Sequence, residues 1–267
     1  MLTRDSSHVS THDAVFKQYV ALGDSMSIDL YPALDVGETD VAVALEWNAR
    51  AGNVAPLGAA ALLHRNLDER YPEFAGNDLS SQYPDIAYVN AAEDGATIGD
   101  VFGSQLPLLT ESDERTLITL SVGGNDLLSA FANRPVPSLL RHIVHDIAEA
   151  YEVLVQSVRR ARPNSVLLLT TVYDPSDGTR KIPGVFDDAG PLPLESLYDL
   201  NDRIRALSSH LRYTGVADVC RHFMGHGVTA PEHQRWYWHR SWIEPNAPGA
   251  SEIRRLWLDA LRRVNEN

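Results

Sequence analysis

The feature that most constrains this chain is a series of short apolar runs, each breaking off into turn-forming polar residues. Tyr19-Val20-Ala21-Leu22 runs into Gly23-Asp24-Ser25, and Ile86-Ala87-Tyr88-Val89 runs into Asn90. Thr116-Leu117-Ile118-Thr119-Leu120 leads to Ser121-Val122-Gly123-Gly124-Asn125-Asp126, and Val166-Leu167-Leu168-Leu169-Thr170 leads to the turn-rich Asp174-Pro175-Ser176-Asp177-Gly178. Val216-Ala217-Asp218-Val219 is a weaker fifth run. Runs this long suit strands buried on both faces, and amphipathic segments fill the intervals, which predicts an α/β fold around a parallel sheet. Between His142 and Arg160, Ile143, Ile147, Tyr151, Leu154, Val155 and Val158 repeat at helical spacing. Ile253, Leu256, Trp257, Ala260, Leu261 and Val264 do the same near the C-terminus, with Pro248 and Gly249 placed where that helix can start.

These readings leave no boundary within residues 1–267, so a single domain is expected. One stretch, about residues 30–67, breaks the alternation: it is acidic at first, then rich in alanine and glycine. It reads as an insertion after the first strand, either part of a lid or substrate wall or a disordered surface excursion.

In parallel α/β sheets ligands bind at the carboxyl ends of the strands, and three of these ends carry residues suited to acyl transfer. Ser25 follows directly on the first strand, where Gly23 lets the backbone turn and the hydroxyl can project into a crevice. Gly-Asp-Ser alone is weak, since turns favour all three residues. Beyond the second strand, Gly95 can bring its backbone N–H close to a ligand, while Asp94 and Thr97 are equally good helix caps. Beyond the third, Gly123 and Gly124 allow close backbone approach and Asn125 supplies an amide donor. One backbone and one side-chain donor together would make an oxyanion hole.

The ordered set of Gly23-Asp24-Ser25, Gly95 and Gly123-Gly124-Asn125-Asp126 resembles the SGNH/GDSL hydrolases, from Tyr19 to the C-terminal helix apart from the insertion. The resemblance implies a flavodoxin-like three-layer α/β/α sandwich and an ester or similar acyl substrate. It implies Ser25 as nucleophile, with the Ser25 and Gly95 backbone N–H groups and the Asn125 side chain as the oxyanion hole.

At the last motif the chain departs from the family pattern, which carries Asp-x-x-His before the C-terminal helix. Here the chain reads Ser241-Trp242-Ile243-Glu244-Pro245-Asn246-Ala247-Pro248-Gly249. The Pro-Asn and Gly anchors set Ser241 at the aspartate position and Glu244 at the histidine position. Imidazole suits a general base because its pKa lies near neutrality, whereas a carboxylate, at ~4.3, is a poorer base unless burial raises it. Three readings stay open: Glu244 is the base, His239 or His226 takes the role, or the crevice binds without hydrolysing.

His222 and His226 stand four apart, as in helical zinc sites, but Gly225 and Gly227 argue for a loop and no third ligand is evident. Neither a metal nor a cofactor is therefore expected. Trp236-Tyr237-Trp238-His239-Arg240 is an aromatic cluster, read either as packing or as one wall of an acyl or sugar pocket.

Charge excludes other classes. Thirty-six acidic side chains against 23 basic ones give a net charge of −13, which repels phosphate backbones and argues against nucleic acid. A lone Cys220, a polar start from Met1 to His12 and strand-sized apolar runs predict no disulfide, no membrane span and a cytoplasmic location.

Overall fold

A computed structural model describes residues 15–37, 54–133, 135–185 and 190–266. In chain order, its main elements begin with β1 (Gln18–Gly23), α1 (Leu30–Asp35), α2 (Ala59–His64), β2 (Ala87–Asn90) and β3 (Thr116–Ser121). Next come α3 (Gly124–Ala132), α4 (Pro137–Ala161), β4 (Ser165–Thr170), α5 (Leu194–His210) and β5 (Thr214–Ala217). A hairpin of β6 (Tyr237–Trp238) and β7 (Ser241–Pro245) precedes the long α6 (Ala247–Glu266).

The first five strands form one parallel sheet in the order β2-β1-β3-β4-β5. Side chains alternate across it with period two. Tyr19, Ala21, Leu117, Val166 and Leu168 join one apolar core with Ile253, Trp257, Ala260 and Leu261 of α6 and with Leu62 and Leu63 of α2. Val20, Leu22, Ile118, Leu120, Leu167 and Leu169 join the other, with Tyr151, Leu154 and Val158 of α4 and with Leu200 and Ile204 of α5. The result is the three-layer α/β/α sandwich expected from the sequence. Among the described residues, no helix is long and apolar enough to cross a membrane.

The order in which strands join the sheet reverses at β1: β2 lies on one side of it and β3 on the other, all running parallel. That reversal opens a crevice at the carboxyl ends of β1 and β3, where an α/β sheet offers a ligand site. Ser25 and Asn125 are both placed there by strand connectivity alone.

Several element limits differ from expectation. The fifth strand starts two residues earlier than the Val216–Val219 run, and Pro248 and Gly249 lie inside the first turn of α6 rather than before it. Part of the 30–67 stretch, residues 38–53, lies outside the described residues. Its described flanks form α1 and α2, and α2 is buried from Ala59 to Leu63.

Candidate active site

The turn after β1 is built to present Ser25. Gly23 has φ +131°, and a Cβ there would lie 1.9 Å from the Ser121 carbonyl oxygen, so only glycine lets β1 and β3 close up at this level. Asp24 N–H then donates to that carbonyl at 2.8 Å. Gln105, fully buried, clamps Gly23 at both ends: its Oε1 accepts from Gly23 N at 2.7 Å and its Nε2 donates to Gly23 O at 2.8 Å. Nothing in the local pattern around Gln105 signals this role, because the contact spans 82 residues. Burial pushes the Asp24 carboxyl up to about 7, despite the Met26 N–H bonded to it at 3.1 Å.

The loop after β2 docks against the start of α3. Ala91 and Glu93 N–H groups donate to Ala21 and Gly23 carbonyls at 2.9 and 3.0 Å. Asn125 Nδ2 donates to the Ala96 carbonyl at 3.0 Å, and the Asp126 carboxylate accepts from Ile98 N–H at 3.1 Å. Gly95 sits exposed in this loop with φ +70°. An amide nitrogen has two protons to give, so Asn125 keeps one donor beyond its tether.

Glu244 arrives from outside the main sheet, on β7. Its strand is fastened by the buried Tyr173 hydroxyl, which donates to the Ile243 carbonyl at 2.6 Å. Behind it, Asn246 donates through its backbone to Trp236 O at 3.1 Å and through Nδ2 to Arg235 O at 2.8 Å. Asn246 Oδ1 accepts from Gly249 N–H at 2.8 Å, capping α6. A Cβ on Gly249 would stand 2.1 Å from the Trp236 carbonyl oxygen, which explains the glycine at this point of the motif.

Glu244 is 6% exposed, and burial pushes its carboxyl up to about 8. The Ser25 hydroxyl, close enough to act on it as a hydrogen-bond donor, pulls the other way, while the charges of Asp94 and Asp24 push it further up. Oε2 of Glu244 is buried and finds no hydrogen-bond partner among the described residues. Tyr31, on α1, donates its hydroxyl to Asp94 at 3.0 and 3.1 Å and feels the Glu244 charge as well.

Ser25, Asn125 and Glu244 all border one cavity of about 110 Å³, mostly apolar in its lining. Neither histidine weighed as a base borders it. His226 stacks face to face on Trp236, with ring centroids 3.4 Å apart, and its Nδ1 meets the Gln234 carbonyl at 2.7 Å. His239 is exposed at the hairpin turn, edge-on to Trp238. His222 pairs with Glu252 at 2.8 Å, and no metal-binding cluster occurs among the described residues. Sequence reasoning missed Gln105, Tyr173 and the Tyr31–Asp94 pair, all of them long-range contacts.

A model of the GDSL-like lipase/acylhydrolase family matches residues 21–251. No curated protein matches the chain in sequence. Among solved structures, the extracellular lipase of Streptomyces rimosus is 18% identical with a TM-score of 0.54, covering 91% of this chain and 99% of its own. Phospholipase A1 from Streptomyces albidoflavus NA297 is 18% identical with a TM-score of 0.53, covering 93% and 99%. Axe2, an acetylxylan esterase from Geobacillus stearothermophilus, is 14% identical with a TM-score of 0.56, covering 93% and 95%. At these identities the likeness is one of fold.

Proposed function

Because the chain belongs to the GDSL-like lipase/acylhydrolase family and is by that membership an ester hydrolase, we propose that it cleaves carboxylic esters with a Ser25–Glu244 pair in place of serine and histidine. The observation that carries this reading is that the buried Glu244 carboxyl and Ser25 border the same cavity, with the Ser25 hydroxyl near enough to act on that carboxyl. A carboxyl raised to about 8 has the basicity that histidine normally brings.

The chemistry runs in two halves. Ser25 Oγ attacks the carbonyl carbon as its proton passes to Glu244, and the carbonyl oxygen becomes an oxyanion held by Asn125 Nδ2 with the Ser25 and Gly95 N–H groups. Collapse expels the alcohol, which takes the proton back from Glu244. Water then attacks the acyl-enzyme, giving its proton to Glu244, and the second collapse releases the acid and returns a proton to Ser25. Asp24 and Tyr173 keep the pair in place from opposite sides, the first through the turn after β1 and the second through β7.

Turnover of a p-nitrophenyl ester by wild type, Ser25→Ala and Glu244→Gln tests the pair. Both variants should fall by about 10³-fold or more in kcat. Full activity in Glu244→Gln would remove Glu244 from the mechanism and return the base to a histidine. Binding without Ser25-dependent turnover of any ester would make the crevice a ligand site only.

A further inference from the structure

The cavity beside Ser25 has a chemistry of its own. Leu127, Leu128 and Phe131 line it from α3, Leu140 from α4, and Leu192 and Leu197 from the far side. Its volume of about 110 Å³ far exceeds the ~10–15 Å³ that seats one water. An acetyl group would leave most of that apolar surface uncovered, while an aliphatic chain of several carbons would cover it.

Charge points the same way. Among the described residues lining the cavity there is no lysine, arginine or histidine, whereas Asp24, Asp174 and Glu244 all border it. Asp94 lies near enough for its charge to act on Glu244, and the whole chain carries a net charge of −13. An anionic substrate would meet like charge in solution and, once Glu244 has lost its proton to act as base, at the site as well.

The two ends of the site also differ. The group that stays on Ser25 between the two half-reactions gains most from an enclosed apolar pocket. The alcohol departs first and needs an open path. Asp94, exposed and bonded to Tyr31, lies outside the cavity lining and offers a polar, open side for it.

Resting on the reading of Ser25 as nucleophile, we infer that the apolar cavity is the acyl subsite, and that the substrate is an uncharged ester with an aliphatic acyl chain well beyond acetyl. Acetylated sugars underfill this site, and anionic thioesters are repelled from it.

The test compares p-nitrophenyl acetate, butyrate and octanoate below their micelle-forming concentrations, then octanoyl-N-acetylcysteamine against octanoyl-coenzyme A. A fully buried methylene is worth about fourfold, so kcat/KM for octanoate should exceed that for acetate by about tenfold or more. Leu128→Trp, which fills the cavity, should collapse that ratio, and Leu197→Ala, which enlarges it, should move the optimum to longer chains. The neutral thioester should be favoured over the coenzyme A ester by about tenfold, the gap narrowing as salt screens the carboxylates.

Preference for acetate, a ratio indifferent to both substitutions, or preference for the coenzyme A ester would overturn the inference and leave the hydrolase reading standing. Should no ester turn over, calorimetry with octanamide decides the cavity separately. Binding that weakens in Leu128→Trp retains the acyl subsite, and no binding removes it.

Discussion

The site is assembled from two regions made in different ways. The corner that carries Ser25, the proposed nucleophile, stands on the ends of β1 and β3, central strands paired on both sides, with Gly23 held by the Gln105 amide. The proposed base, Glu244, stands on β7, half of a two-stranded hairpin separate from the main sheet, with an irregular register between Tyr237 and Trp238. A lone hairpin is marginal by itself, so β7 depends on side-chain fastenings: Tyr173 on the Ile243 carbonyl and Asn246 on the Arg235–Trp236 backbone. With the proposed nucleophile on the sheet and the proposed proton acceptor on an appended ribbon, the second can change type while the first stays fixed.

Substitutions on each side can break or sharpen this contrast. The largest effect is expected at the corner: Asn125→Ala removes an oxyanion donor and should lower kcat by about 10²–10³ with KM little changed, read from steady-state kinetics. If kcat holds, the oxyanion is met elsewhere.

Next comes the identity of the base. Glu244 must be deprotonated to accept a proton, so kcat/KM should climb with pH through about 8, falling about tenfold per unit below it. Asp24 after β1, Asp94 after β2, Tyr31 on α1 and Tyr173 after β4 all lie near enough to interact with this carboxyl through their charges. The double substitution Ser241→Asp with Glu244→His should carry the limb down toward neutrality. An unmoved limb would assign it to another group.

The fastening should matter less than the group it holds. Tyr173→Phe frees the Ile243 carbonyl and should reduce kcat about fivefold while leaving the acid limb in place, as befits a residue that positions rather than reacts. The smallest effect is on stability. A carboxyl whose folded value lies above its unfolded one keeps a proton that the unfolded chain has already lost, so stability declines as pH rises from the ordinary carboxylate range toward about 8. Glu244→Gln should then raise Tm by a few degrees at about pH 9, on the order of 2 kcal/mol, with no gain at about pH 4. The opposite trend would mean that Glu244 is stabilised as a charge.

The same division decides what could be read from the chain. β1, β3 and β4 announce themselves because strands buried on both faces are nearly continuous apolar runs, and each ends where a ligand would bind. Ser25 and Asn125 follow from that placement. Glu244 was legible only as a departure from the family motif, and its burial and its place on the same cavity as Ser25 needed the fold. The hairpin escaped notice because Trp236–Arg240 reads as an aromatic cluster, with two-residue β6 too short to show alternation. α5 was missed, although Leu194, Leu197, Leu200, Ile204 and Leu207 recur at helical spacing after Pro193. Gln105 and Tyr173 make contacts 82 and 70 residues away, and no periodicity records such a partner.

Burial of Glu244 beside an apolar cavity has a further consequence for the proposed reaction. In a serine–histidine site, proton transfer turns two neutral groups into an oxyanion and an imidazolium, and opposite charges must be created together. With a carboxylate as acceptor, one negative charge simply moves from Glu244 to the substrate oxygen. A medium of low polarity penalises creating a separated pair far more than relocating a charge already there. Surroundings this apolar are therefore less of a handicap to a glutamate base than to a histidine, and the rate should respond weakly to changes in the polarity of the solvent.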